Sequence, residues 1–373
     1  MANAFGIIFA NIHDDALPQL TRNRTLGAVP MGGRYRLIDF ILSDMVNSGI
    51  SSVGVIARNN YHSLVHHLGS GKEWDLSRKF GGLTIFPPYA TAGAGLYHGR
   101  LQALKTVLSY IVRAREEYAV LADSNVILNI DLEKVLAYHE ENDADITCVY
   151  QNVDHLKEKN AKDRVLYEID DTGRIQAVLV DPRMSEGNVN NSLGIWVMKK
   201  DLLVQIIDDA QNSGKQSLER DVLGQHCQDW KILGYGFEGF VEQIRSISGY
   251  YRAGMELLNP DVRKELFPRE RPIYTKIHDE SPVYYAPDAK TSNSLIANGC
   301  RIEGTVENSI LGRGVSVAKG AVVRNSLLMQ GVTVAEGSTV DCAIIDKNSY
   351  VSPNRNLSGA PTYPIVIEKG NRV

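Results

Sequence analysis

Near its carboxyl end the chain repeats itself at a fixed interval. Ser309-Ile310-Leu311, Ser326-Leu327-Leu328 and Ala343-Ile344-Ile345 recur every 17 residues, and Gly314 with Gly331 and Val317 with Val334 and Val351 follow in register. Within one repeat the aliphatics stand six apart, at Leu311, Val317 and Val323. This hexad spacing predicts a left-handed parallel β-helix, one triangular coil per repeat, with small residues and glycines turning the corners. The architecture is strongly constrained, whereas the repeat alone says almost nothing about chemistry.

The repeats occupy only the last quarter of 373 residues, a length that calls for about two domains. Upstream, Phe5-Gly6-Ile7-Ile8-Phe9-Ala10 reads as a buried parallel strand. Tyr35 to Leu42 carries apolar residues at helical spacing, and Ser52 to Ala57 reads as a second strand, completing a βαβ unit. The expected architecture is therefore α/β: a Rossmann-like, mostly parallel sheet domain over 1–256, a proline-rich linker over 257–290 and the β-helix over 291–373.

A net charge of -4 leaves no basic excess for nucleic acid. The start, MANAFGIIFANIHDD, lacks a basic segment, and its apolar run is too short for a signal peptide or membrane span. Cys148, Cys227, Cys300 and Cys342 are too widely spaced for a zinc motif and read as reduced packing residues, so a cytoplasmic location is expected. His62 and His66 share a helix face at i, i+4, but no third ligand stands at a recognisable spacing, so no metal site is expected.

The loop from Phe9 to Phe40 lies where an α/β sheet holds phosphates, outside the carboxyl end of its first strand. Leu17, Leu20, Thr21, Arg24, Ala28, Val29, Pro30, Gly32, Gly33, Tyr35, Arg36, Ile38, Asp39 and Phe40 fit a pattern that resembles the signature of the sugar-nucleotide pyrophosphorylases, most closely the ADP-glucose pyrophosphorylases. The framework is kept while the chemistry is missing. Asn11 and Ile12 stand where that family has paired glycines, Asp14 where it has a third, Ala16 in place of an arginine and Leu26 in place of a lysine. Glycines let backbone N–H groups approach a triphosphate, and the two cations neutralise charge that develops during phosphoryl transfer. Asp14 and Asp15 would instead repel a polyanion; as a bland alternative they are solvated acids on a surface turn.

Further along, the resemblance continues with the same contrast. Tyr97, Gly99 and Ala103 match a nucleotide-side segment in which Arg100, Leu101 and Gln102 replace Thr-Ala-Asp, and Gly93, Gly95 and Gly99 suggest a mobile loop. Asn125 falls on the first Mg²⁺-binding aspartate of the family and Gln243 on the second, and a neutral amide cannot supply carboxylate charge to Mg²⁺. Asp181 stands where a lysine holds the sugar phosphate, whereas Ser192 and Gly194 keep the sugar-pocket strand. Tight strand packing would explain those last two equally well.

The degenerate positions Asn11, Ile12, Asp14, Ala16, Leu26, Asn125, Asp181 and Gln243 leave no catalytic set intact and no cofactor required, with Arg24, Gly99, Ser192 and Gly194 as vestigial substrate contacts. The resemblance thus points to the noncatalytic, D-type subunits of the ADP-glucose pyrophosphorylase family. It implies a catalytic-subunit partner, assembly as a heterotetramer and an effector that is a sugar phosphate or nucleotide, read at a site the β-helix helps to shape. Two alternatives stand beside it: a working nucleotidyltransferase that holds Mg²⁺ through Asp123, Glu242 and Asp14, and a stand-alone sugar-phosphate sensor built on Ser192, Gly194, Arg24 and Arg36. Acyl transfer, which other hexapeptide-repeat proteins perform with a histidine, is disfavoured because none follows His278.

Overall fold

The computed structural model describes residues 3–88, 99–154, 164–182 and 187–373. The expected mobile loop and Tyr97 lie outside the described residues. The strand Ala4–Phe9 is buried along its whole length, which is why its sequence is continuously apolar rather than alternating. It pairs in parallel with Ser52–Ile56 on one side and Tyr118–Asp123 on the other, and Gly82–Phe86 extends the parallel set. The long strand Asn188–Lys199 runs antiparallel to Tyr118–Asp123 and carries Ile146–Asp154 beyond it, giving a nine-stranded mixed sheet among the described residues.

Helices cover both faces. Ile38, Ile41, Leu42 and Met45 of the helix Leu37–Asn47 pack beneath one face, and Leu101, Leu104, Leu203, Ile206 and Ile207 of two others pack on the opposite one. That first helix begins two residues later than its periodicity suggested. Tyr35–Arg36 folds back on Pro30–Met31 as a short antiparallel pair, and Asp39 then accepts the Arg36 backbone N–H (2.9 Å), closing the helix start.

The repeats form three parallel sheets of five strands each, and Leu311, Val317, Val323, Leu328, Val334, Val340 and Val351 point into the shared core. One corner is held by a ladder of side-chain amides: Asn293 donates to Asn308 (2.8 Å), Asn308 to Asn325 (2.6 Å) and Asn325 to Asp341 (2.9 Å). The three asparagines sit at positive φ, which Asn tolerates better than most residues.

The stack starts at Tyr284, ahead of the expected residue 291, and the 257–290 stretch is not a free tether. It contains the helix Pro260–Leu266, and Ser43 Oγ accepts the backbone N–H of Tyr274 (2.9 Å). Nor does the C-terminal tail merely lie over the last coil, since Ile365–Ile367 joins the third sheet in parallel with Ala343–Ile345. An apolar cluster welds the two parts together: Val29, Met31, Phe40 and Leu257 from one side meet Ile310, Leu327 and Ile344 from the other.

Candidate functional site

Two charged concave regions bear on function. The first lies beyond the carboxyl ends of Ala4–Phe9 and Tyr118–Asp123, a cavity of ≈ 370 Å³ lined by His13, Arg100, Asp123, Asp181, Ser192, Gly194, Glu219, Gln243 and Arg245, among others. Arg100, the first residue of the helix Arg100–Thr106, forms part of its wall. Its guanidinium donates to Asp123 through Nε (3.0 Å) and Nη2 (2.5 Å) and pairs with Glu219 through Nη1 (2.6 Å). The guanidinium also lies over the ring of Trp196 at 5.2 Å, a cation–π contact in a dry setting. His13 Nε2 stands 3.1 Å from Asp123 Oδ2.

Burial alone would raise the Asp123 pKa, but Arg100 and His13 outweigh it and hold the carboxyl well below the usual carboxylate range. Burial disfavours the Arg100 cation, yet Asp123 and Glu219 more than compensate and raise its pKa. Asp123 and Arg100 are thus held in their charged forms by one another. Gly194 is part of this arrangement: at φ +68, a Cβ there would stand 2.7 Å from Asp123 Oδ2.

The positions assigned to Mg²⁺ do other work. Gln243 accepts from Asn191 (2.8 Å) and donates to the Ser192 carbonyl (2.9 Å), while Asn125 donates to the Ile244 carbonyl (3.3 Å). The three rearranged ligands are not brought together either: Asp123 holds Arg100, Glu242 pairs with Arg252 at 2.8 Å, and Asp14 accepts the backbone N–H of Leu26 (2.7 Å). These residues do not fit a divalent cation, because the carboxylate nearest its expected place is already neutralised by a guanidinium.

The signature loop has been turned inward. Leu26 is buried in the apolar cluster at the junction, with Ala16 packed against it, so both residues that replace family cations serve as core. Asp14 is not a solvated acid; burial pushes its carboxyl up to about 7, against the opposing pull of the Leu26 N–H and Arg58. Asn11 is buried and Ile12 borders the cavity. Asp181 accepts the Arg164 backbone N–H (3.0 Å), Ser192 bonds the Tyr167 hydroxyl (2.8 Å), and Gly99 abuts the Gln216 carbonyl. Arg24 does not belong to this cavity. It is buried against the β-helix, ion-paired with Asp346 and donating to the Leu20 carbonyl (2.8 Å).

The second region is a cavity of ≈ 240 Å³ at the junction of the two parts. Arg34, Arg36, Lys276, Arg313 and Lys347 line it together with His66, His67 and His278, above an apolar floor that includes Leu327 and Met329. No carboxylate is among its lining residues. Acids stand behind the lining: Asp39 bonds His67 (2.6 Å), Asp346 holds Arg24, and Glu280 acts on Arg313 and His278. Arg36 is aimed by Ser63, whose carbonyl and hydroxyl accept from Nη1 at 2.7 and 2.8 Å. Five cations facing a concavity with no lining carboxylate are suited to a compact anion.

Sequence reasoning singled out Arg36 but not Lys276, Arg313 or Lys347. A signal was present for two of them. Arg313, Gln330 and Lys347 are 17 residues apart, so they form one column of the coil stack, and all three line the cavity.

Sheet, helices and loop together define a nucleotidyltransferase-type domain joined to a hexapeptide β-helix. Residues 15–238 match the family described as nucleotidyl transferase, and residues 284–359 match the GlmU-like, C-terminal hexapeptide family. The chain belongs to the nucleotidyl transferase family. More particularly, it is 36% identical over 370 residues to the glycogen biosynthesis protein GlgD of Bacillus subtilis (strain 168), covering 98% of this chain and 95% of the relative. It is 39% identical over 366 residues to the glycogen biosynthesis protein GlgD of Geobacillus stearothermophilus, at 98% and 96% coverage. A glucose-1-phosphate adenylyltransferase of Thermosipho africanus is 33% identical over 326 residues, 87% of this chain and 78% of that one. Among the described residues no helix is long and apolar enough to cross a membrane.

Proposed function

We propose that this chain is a regulatory subunit of glycogen synthesis. It assembles with the catalytic subunit of glucose-1-phosphate adenylyltransferase, raises the activity of that subunit and performs no nucleotidyl transfer itself. The observation that carries this reading is the Arg100 guanidinium clamped between Asp123 and Glu219, which engages the carboxylates of the cleft that a metal-assisted nucleotidyl transfer would need free. Relatives named for glycogen biosynthesis, similar over almost the whole chain, support the pathway. The junction cavity supplies the regulatory half: five Arg and Lys side chains without a lining carboxylate suit an anionic effector such as a sugar phosphate or nucleotide.

The test is pyrophosphate release from ATP, Mg²⁺ and glucose 1-phosphate, measured for the chain alone and after the catalytic subunit is added. The expected result is no turnover alone and more than additive turnover in the mixture. Turnover by the isolated chain at an ordinary enzymatic rate would refute the reading. The sensor alternative loses two of its four residues from the sugar-side cavity, since Arg24 is sequestered by Asp346 and Arg36 faces the junction.

A further inference from the structure

Lys347 differs from the other cations of the junction cavity in its surroundings. It follows Asp346 in the turn between the strands Ala343–Ile345 and Tyr350–Val351, so one residue of the turn reaches back to Arg24 while the next lines the cavity. Several elements packed around that amine present positive or titratable groups. Arg24 and Arg36 come from the signature loop and the helix start, Lys369 from the C-terminal tail, and His66 and His67 from the helix His62–Leu68. Lys276 and His278 come from the connecting stretch, and Arg313 from two coils away. Asp346 is the negative neighbour, and it is already committed to Arg24.

We infer that anion binding at the domain junction is proton-linked: Lys347 enters the reaction as a neutral amine and leaves it as an ammonium paired with the ligand. This rests on the effector reading of the cavity and adds a pH term to it. The physical cause is desolvation inside a field of like charge. Burial, then Arg36 and Arg24, push the Lys347 pKa down to about 7, with Asp346 opposing. An incoming anion reverses the sign of that field at short range and favours the charged form. The proton comes from solvent, so binding adds one positive charge to the cavity for each anion that enters it.

The sign follows from linkage. At pH 8 a group with a pKa near 7 is mostly neutral, so binding takes up roughly 0.5–1 proton per anion and affinity falls by about three- to tenfold per pH unit. At pH 6 Lys347 is already charged and contributes no uptake. His66, His67 and His278 all have lowered pKa values, and a window from pH 7.5 to 8.5 keeps them neutral in the free chain.

The experiment is calorimetric titration of the full chain with sulfate, which does not itself titrate in this window, in buffers of different ionisation enthalpy at pH 8. The expected result is uptake of most of one proton by the wild-type chain and near-zero uptake by Lys347→Arg, which still binds sulfate because arginine stays charged. Sulfate binding without proton uptake, or uptake unchanged in Lys347→Arg, would overturn the inference and leave the effector reading standing. No sulfate binding at either pH 6 or pH 8 would remove the effector reading and the inference together.

Discussion

The cleft above the sheet and the cavity at the junction are similar in polarity and opposite in how their charge is settled. In the cleft, the buried ions pair with each other: Arg100 answers Asp123 and Glu219, and His13 adds to them. At the junction, five Arg and Lys side chains face a cavity with no lining carboxylate. A site that satisfies itself has nothing left to offer a ligand, whereas one that carries uncompensated charge gains whenever a counter-ion arrives. One fold thus carries a charged cleft whose central ions pair with each other and a cavity whose cations face no lining carboxylate.

The sharpest way to break this comparison is to remove the cleft's internal cation. Arg100→Met leaves two buried carboxylates uncompensated and is expected to cost about 3–5 kcal/mol in denaturant unfolding at pH 7. The pH dependence should change as well. Asp123 has a depressed folded pKa, so its stabilisation is present above the ordinary carboxylate value and is lost as pH falls below about 4. In Arg100→Met that acid-side loss should vanish, because the unpaired carboxyl then gains from protonation. A cost under 1 kcal/mol would mean the cleft is not held by this cluster.

Asp346→Asn tests the seam between the two regions. It strips the partner from a buried Arg24, whose side chain is 5% exposed, and is expected to cost about 3 kcal/mol. It also removes a negative charge from beside the junction cavity, so sulfate binding there should not weaken, Arg36, Lys276 and Arg313 being untouched. A variant of wild-type stability would show that the apolar cluster alone joins the parts.

The smallest expected effect is at Asp14. Its raised pKa means that the folded state binds more protons than the unfolded one between about pH 4 and 7, so stability falls as pH rises through that window. Asp14→Asn keeps an acceptor for the Leu26 N–H and should flatten this slope, by under about 1 kcal/mol given the partial exposure of the group. An unchanged slope would place the titration elsewhere.

Much of this was legible in the residues. The repeat declared the β-helix because each inward side chain recurs at the period of the coil, and Asn125 and Gln243 stood out because a neutral amide differs in chemical class from a carboxylate. What the groups around them pair with was not legible. Arg100, Asp123 and Glu219 meet only through the fold, and no local spacing links them. Asp14 looked like a solvated acid because its partner, the Leu26 amide, is a backbone group that carries no residue signature. Arg24 fitted the family pattern and yet faces Asp346, far along the chain, because the junction buries it. The cations at Arg313 and Lys347 were readable in principle from the repeat, had polar columns been followed as closely as aliphatic ones.

That column makes length a stepwise variable in this protein. Successive coils are spaced by one strand separation, about 4.8 Å, so Arg313 and Lys347 stand two steps apart with Gln330 between them. An insertion or deletion of a whole repeat would preserve every inward contact and still change which side chain reaches the junction. Loss of the coil from Ser326 to Cys342 would set Lys347 directly beside Arg313. The β-helix is thus a ruler as well as a scaffold, and the charge spacing at the junction can change between relatives only by whole divisions of it.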